Sequence, residues 1–409
     1  MMASEDVREI SRCEVCGNAS LSSALNLGMH PMCDDLVPVG DARRCREYPI
    51  EILFCGRCST AHQRFQIPKR TLFPHNYHYR ARHTGDVLSG MRELVEDCEA
   101  RFGNVKGKKI LDIGCNDGSL LSFFAEKGAR TYGIEPTDAA EDAKGRGHAI
   151  VNDFFCPDIA RAFAAEHGVP DIVTFTNVFA HIENLDEVID ALNVFKHDAL
   201  CIVIENHYMG AVLDRFQFDT FYHEHPRTYS CESFMHIADR LGMKVGYVGF
   251  PARYNGNIRT FLTAGANDFA DDALREKEKH FGDGLHAMAR KIPAWRDRKR
   301  AAIETAVKAS GCKLKAKAFP GRAAIPVKLL GLDADLLEAA YEKPQSAKVG
   351  HYIPGTRVPI LSDDALDLAR EKGPLLNLAW HIAGEIKPYL RARGYRGDFI
   401  DIIASEDAA

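Results

Sequence analysis

Two short cysteine pairs constrain this chain most. The sequence reads Cys13-Glu14-Val15-Cys16-Gly17 and later Cys55-Gly56-Arg57-Cys58, two C-x-x-C knuckles with 38 residues (17–54) between them. A C-x-x-C knuckle presents two thiolates from one tight turn, and two knuckles complete a tetrahedral S4 site for Zn2+. Four protein ligands leave no open coordination position, so the expected zinc is structural rather than catalytic. The competing reading is a redox dithiol. Cys33 and Cys45 lie between the knuckles without a C-x-x-C partner and stay outside the set. Cys115, Cys156, Cys201, Cys231 and Cys312 stand alone in apolar context and read as small core hydrophobes.

A chain of 409 residues exceeds one ordinary core, so two or three domains are expected. The net charge of −5 favours neither a nucleic-acid backbone nor an anionic membrane. No apolar run approaches the roughly 20 residues of a membrane span. The start, MMASEDVREISRCEV, has early acids and no apolar segment, unlike a signal peptide. The expected location is therefore the cytoplasm, where thiols stay reduced, and the expected state is a monomer.

Short apolar runs broken by glycine and proline fill residues 1–75 and suit a small zinc-held module. From Thr84, helical spacing puts Val87, Leu88, Met91, Leu94 and Val95 on one face. KKILDIGCNDGSLLSFFAEKGARTYGIEP then reads strand, glycine turn, helix, strand, and PDIVTFTNVFA and ALCIVIENHY add strands with helices between. Alternating β and α segments predict an α/β fold with a parallel sheet covered on both faces. The stretch 268–310 is charged and helical, interrupted at Pro293, and a second α/β block follows with PLLNLAW as a strand. The expected domains are 1–75, 76–310 and 311–409.

The strand Lys109-Ile110-Leu111-Asp112-Ile113 runs into Gly114-Cys115-Asn116-Asp117-Gly118-Ser119, and Glu135 follows Gly114 by 21 residues at the end of the next strand. Glycine permits the tight turn and the close approach of a ligand, and a carboxylate there can accept from ribose hydroxyls. The G-x-G-x-x-G spacing of dinucleotide sites is absent. The D-x-G-x-x-x-G form resembles the first motif of class I methyltransferases that use S-adenosylmethionine (SAM).

Over nearly its whole length the chain resembles the C-methyltransferases of nucleotide-linked 4-keto-deoxy sugars. The resemblance rests on the two knuckles, FPHNYHYR at 73–80, LDIGCNDG at 111–118, NVFAHI at 177–182 and YHEH at 222–225. It continues through NGNIR at 255–259, KVGHYIPGTRVPI at 348–360 and LAWHIAGEI at 378–386. It implies a zinc module holding Zn2+ on Cys13, Cys16, Cys55 and Cys58, a Rossmann-like SAM domain, and a C-terminal Rossmann-like domain without SAM. The sugar nucleotide is expected at their junction. The implied cofactor set is Asp112, Gly114, Asn116, Gly118, Glu135, Asp153, Phe154 and Asn177, with Asp153 and Phe154 near the adenine. Two segments depart from the family pattern: Tyr254-Asn255-Gly256-Asn257-Ile258-Arg259 and Ala318-Phe319-Pro320-Gly321-Arg322.

C-methylation next to a ketone needs a base of near-neutral pKa to take the α-proton and a donor to stabilise the enolate oxygen. The sulfonium already activates the methyl, so no catalytic metal is required. The resemblance implies His225 as base, supported by Glu224 and Tyr222, with His181 and Tyr77 on the enolate side. It leaves His223 without a role. Tyr79 is the alternate for Tyr77, and Tyr79, Asn257, Arg259, Lys343 and Tyr352 are the expected substrate contacts. The expected function is SAM-dependent C-methylation at C3 of such a sugar. The alternatives are O- or N-methylation of a sugar, or a non-catalytic zinc- and SAM-binding protein.

Overall fold

The computed structural model describes residues 7–75, 77, 79–252, 256–265, 269–368, 371 and 373–408. Tyr254 and Asn255 of the departing 254–259 segment, and Asn76 and His78 of FPHNYHYR, lie outside the described residues.

The largest sheet has seven strands. In space they run Lys244–Gly249, Asn257–Thr263, Cys201–His207, Ile172–Thr176, Lys109–Ile113, Arg130–Ile134 and Ala149–Val151. The last five pair in parallel and Asn257–Thr263 is antiparallel to both its neighbours. Lys109–Ile113 is buried along most of its length, as a strand covered on both faces must be. The helix Gly85–Phe102 packs on this sheet through Val87, Met91, Leu94 and Val95, the periodicity read from the sequence, and ends on Gly103 at φ +71°.

A second, all-parallel sheet orders its five strands Ile360–Ser362, Leu337–Glu342, Leu314–Lys317, Leu375–Asn377 and Phe399–Asp401. Strand order reverses between Leu314–Lys317 and Leu375–Asn377, which opens a crevice beyond their carboxyl ends. The helix Phe281–Ser310 joins the two sheets and runs unbroken through Pro293, contrary to the interruption expected there; the break lies at His280. Pro293 faces solvent, while Ile292 and Trp295 on either side are buried and the Trp295 indole donates to the Ile402 carbonyl at 3.2 Å. That anchoring outweighs the roughly 3 kcal/mol a mid-helix proline costs.

The cysteine-bearing segment forms a four-stranded antiparallel sheet ordered Arg227–Thr228, Thr60–Gln63, Glu47–Cys55, Ser22–Pro31. Its first strand comes from the middle of the chain, one residue after YHEH. A second seam pairs Val37–Pro38 with His351–Tyr352 of the C-terminal part. One buried cluster runs from Cys13, Leu25 and Ile52 through Phe175 and Phe234 to Trp295, Phe319 and Leu376, so the three parts share a core. Cys115, Cys201 and Cys231 are buried as expected; Cys156 is half-buried ahead of a helix, and Cys312 is exposed. Among the described residues, no helix is long and apolar enough to cross a membrane.

Candidate active site

The four knuckle cysteines converge. Their sulfurs lie within 4.8 Å of one another, with Cys13 Sγ 3.4 Å from Cys58 Sγ and Cys16 Sγ 3.6 Å from Cys55 Sγ. Thiolates about 2.3 Å from a tetrahedral Zn2+ sit about 3.8 Å apart, so the donor set fits the ion. The Cys16 amide donates to Cys13 Sγ at 3.4 Å and the Asn18 side chain to Cys55 Sγ at 3.6 Å, donors suited to thiolate charge.

A cavity of about 1000 Å³ opens between the three parts, at the top of the range for ligand pockets. The glycine turn forms one end. Gly114 has φ +68°, and a Cβ there would lie 2.7 and 2.8 Å from the two methyls of Val178. Asn116 and Asn177 also adopt positive φ, at 50° and 55°. The Asn116 amide donates to Glu135 Oε2 at 2.9 Å and its side chain holds the 79–81 segment, accepting from Ala81 N and donating to Tyr79 O. Glu135 Oε1 accepts from the amide and hydroxyl of Thr137 at 2.9 and 2.6 Å. A carboxylate has about four acceptor positions, so one remains on Oε2 for a hydroxyl facing the cavity. Thr176 Oγ1, on the cavity wall, is buried and has no partner among the described residues. Tight turn, spare carboxylate acceptor, unpaired hydroxyl and the Phe154 ring suit the polar and aromatic faces of SAM. Asp112 lines the same end and accepts from Thr174 Oγ1 at 2.7 Å; burial, opposed by that bond and aided by the charge of Glu135, pushes its pKa up to about 7.

Two residues of the implied cofactor set stand back from the cavity. Asp153 is exposed and caps its neighbour's amide, Phe154 N, at 2.7 Å. Gly118 starts a helix at φ +73°, where a Cβ would meet His148 Cδ2 at 2.8 Å and Ala143 Cβ at 3.0 Å, so packing requires the glycine.

The other end gathers Tyr77, His181, His207, Tyr222, Glu224 and His225. His225 Nδ1 lies 2.9 Å from the Thr220 carbonyl, which accepts only, so Nδ1 carries the proton and Nε2 the lone pair. Burial, with the neighbouring His181 and His207, lowers its pKa well below the usual value, so the ring is neutral and its lone pair available, but it is a weaker base than the near-neutral one expected from the sequence. The Tyr222 and His181 rings stand 4.2 and 4.9 Å from it, centre to centre. The Glu224 carboxyl does not contact His225 as expected. It turns the other way and accepts from the Tyr77 hydroxyl at 3.2 Å. Burial and the charge of Asp34 raise its pKa well above the carboxylate range, against the pull of Tyr77 and Lys348. His181 Nδ1 donates to the Glu224 backbone carbonyl at 2.8 Å, and burial lowers its pKa to about 4. Neutral His181 thus offers an acceptor at Nε2, not the donor that the enolate side needs; Tyr77, whose hydroxyl burial keeps protonated, has the right polarity. His223 points away from the cavity, bonds the Tyr48 carbonyl at 3.2 Å and packs edge-on against the Tyr48 ring.

Of the expected substrate contacts, Tyr79 and Lys343 line the cavity. Arg259 does not: it is 2% exposed, bonded to Glu205 Oε2 at 2.7 Å, to Asp97 and to the Gly90 carbonyl. Asn257 is buried beside it and donates to Glu205 at 3.0 Å and to Asn177 Oδ1 at 3.1 Å, holding the Asn177 turn. Tyr352 lies in the seam, where its hydroxyl accepts from Gly40 N at 3.1 Å. Three residues outside the expected set shape the site. Arg322 grips Asp219 with two bonds of 2.6 and 2.9 Å and Thr220 Oγ1 at 2.8 Å, fixing the segment whose carbonyl orients His225. Lys348 lies 4.0 Å from Asp34. Arg322 and Lys348 fall within quoted motifs, but nothing local distinguishes Asp34.

Three family models match in succession: a zinc binding domain over residues 13–73, a methyltransferase domain over 82–247 and a C-methyltransferase C-terminal domain over 265–403. The third takes in the helix Phe281–Ser310, which the sequence reading assigned to the middle domain. The C-methyltransferase NovU of Streptomyces niveus is 27% identical over 389 residues, 93% of this chain and 92% of that one. A ubiquinone biosynthesis O-methyltransferase of Shewanella halifaxensis is 34% identical over 93 residues, 22% of this chain and 39% of its own. Among solved structures, the SAM-bound magnesium protoporphyrin IX methyltransferase of Synechocystis PCC 6803 covers 44% of this chain and 80% of its own, at 14% identity and TM-score 0.33. The plantazolicin methyltransferase BpumL covers 45% and 87%, at 13% identity and TM-score 0.36. The end-to-end likeness is to a C-methyltransferase, and zinc binding, methyltransferase and C-methyltransferase C-terminal domains follow one another along the chain, so the protein is a SAM-dependent C-methyltransferase.

Proposed function

We propose that the enzyme methylates C3 of a nucleotide-linked 4-keto-deoxy sugar, with His225 as the base. The observation that carries this reading is the His225 ring, neutral, with Nδ1–H held by the Thr220 carbonyl and no protein partner on Nε2 among the described residues of the cavity wall. An O- or N-methyl transfer would hand such a base a hydroxyl or amine proton and never a carbon-bound one, so the two readings part at exchange of the α-proton.

SAM, when bound, supplies an electrophilic methyl on its sulfonium. The chain's own part is to remove a proton and hold charge. Nε2 takes the α-proton, and the imidazolium so formed keeps its Nδ1–H bond to Thr220. The Tyr77 hydroxyl swings its hydrogen bond from Glu224 toward the forming oxyanion, with the Glu224 carboxyl, whose burial beside Asp34 disfavours its charged form, behind it. The apolar wall of Phe73, Phe154 and Phe155 excludes water that would quench the enolate.

The nucleotide end of the reading rests on the second sheet. Glu342 closes the strand next to Leu314–Lys317, 21 residues after Gly321, and accepts from the Phe319 amide. Glu135 follows Gly114 at the same interval and accepts from the Asn116 amide. A carboxylate so placed suits ribose hydroxyls, and Lys343 and Lys348 beside it suit a diphosphate.

The test is mass spectrometry of dTDP-, GDP- and CDP-linked 4-keto sugars incubated with enzyme and SAM; a C-bound methyl is expected, and an O- or N-methyl product, or no product across the panel, refutes the reading. His225→Ala should retain SAM affinity and lose roughly 10²–10⁴ in turnover. In D2O with S-adenosylhomocysteine bound, wild type should exchange the α-proton and His225→Ala should not.

A further inference from the structure

The first cysteine knuckle contains Glu14, and Glu14 is tied to a residue just past the active-site histidines. Arg227 is 0% exposed, and its guanidinium is bonded on every side. Nη1 donates to Glu14, Nη2 to the backbone carbonyl of Ile182, and Nε to the Tyr229 hydroxyl at 2.9 Å. Ile182 directly follows His181, and Arg227 follows His225 by two residues. Glu14 is fixed in turn by Arg8 and by Gln66 Nε2 at 2.9 Å. A fully buried guanidinium and its carboxylate hold a far stricter geometry than a surface pair, because either left alone would be an uncompensated charge.

The second knuckle reaches the same segment. Ser230 and Ser233 donate to the Cys58 carbonyl at 3.4 and 3.1 Å. The strand leaving that knuckle pairs His62 with Arg227 and Ala61 with Thr228, and the Gln63 side chain donates to the carbonyls of Phe221 and Tyr222 at 3.2 and 3.3 Å. The backbone on both sides of His225 is therefore laid on the metal-binding module.

We infer that Glu14 and Arg227 are positioning residues that transmit the geometry of the four-cysteine centre to His181 and His225. The zinc then does more than hold its own module together: it sets the register of the active-site loop. The kinetic arm of the test rests on the function proposed above, and the spectroscopic arm does not.

Protein labelled with 15N-histidine reports the tautomer of each ring, with His181 and His225 assigned from their alanine variants. In Arg227→Lys and Glu14→Gln, zinc should stay at one per chain and SAM affinity within about threefold of wild type. The ring-nitrogen signals of His181 and His225 should shift or lose the single Nδ1–H tautomer. With whichever 4-keto sugar the wild type methylates, kcat should fall about 10–100-fold, the usual effect of losing an outer-shell partner of a metal site. The double variant should be no slower than the worse single one. Arg227→Lys touches no cysteine and decides the matter if Glu14→Gln loses metal. If either variant proves unfolded, removing zinc from wild type by chelation should perturb the same two rings. Wild-type histidine signals in folded, zinc-loaded Arg227→Lys, or in the metal-free wild type, overturn the inference. So does a loss of SAM affinity as large as the loss of kcat.

Discussion

Replacing Gly114 by alanine tests the cofactor end of the cavity at a single atom. The residue has φ +68°, where an L side chain costs about 1–2 kcal/mol. The added Cβ would also stand 2.7 and 2.8 Å from both Val178 methyls, an overlap that forces a side chain or the backbone to move. Overpacking of that kind costs about 1–3 kcal/mol. Gly114→Ala should therefore lower unfolding stability by about 2–5 kcal/mol. Because Val178 follows Asn177 on the cavity wall, SAM affinity should fall by at least about tenfold, or 1.4 kcal/mol. Adding Val178→Ala removes the clash and leaves the backbone strain, so part of the stability and most of the affinity should return. Gly118→Ala is the control: its strain is similar, at φ +73°, but the residue stands off the cavity, so stability should fall while SAM affinity holds. Denaturant unfolding and titration calorimetry read both quantities. Normal SAM binding by Gly114→Ala, or no recovery in the double variant, would refute the argument.

Cys55→Ser should release the metal, which contributes on the order of 10 kcal/mol to folding such a module, while SAM binding partly survives; elemental analysis and calorimetry check both, and zinc-free freshly purified wild type would sink the metal assignment. Glu135→Ala should weaken SAM by about 1–3 kcal/mol, the worth of a hydrogen bond to a charged group, and unchanged calorimetric affinity would show that its spare acceptor faces nothing. Asp112 is raised to about 7 in the folded protein, above its unfolded value, so the native state binds the extra proton between about pH 4 and 7 and stability falls as pH rises through that window. Asp112→Asn should remove up to about 1.4 kcal/mol per pH unit of that slope, measured by urea unfolding at successive pH values; an identical slope would show that Asp112 is not the group titrating.

Features written locally in the chain were the legible ones. The knuckles, the glycine turn and the helix Gly85–Phe102 each depend on residues a few positions apart, and spacing alone reveals them. Pro293 misled because the forces holding its helix straight, the burial of Ile292 and Trp295, come from a distant sheet. Arg259 misled for a similar reason: a lone arginine in a motif carries no sign of the Glu205 and Asp97 carboxylates that neutralise it. Glu224 looked like a partner of the adjacent histidine, yet a turn separates their side chains and the Thr220 carbonyl takes that role. The Glu14–Arg227 pair spans 213 positions and has no signature in either neighbourhood.

The seam between Thr60–Gln63 and Arg227–Thr228 also bears on how the chain is made. The module carrying the first knuckle leaves the ribosome well before the middle of the chain, and its sheet lacks an outer strand until Arg227 emerges. At about 5–20 residues per second that delay is roughly 10–30 s. Through that interval Thr60–Gln63, buried at every position in the finished protein, presents a bare edge able to pair with another nascent chain. Early zinc capture by the knuckles would shorten the exposure only in part, since the missing strand is supplied by translation and not by metal. The enzyme's yield in cells should thus depend on elongation speed across the methyltransferase domain as much as on zinc supply.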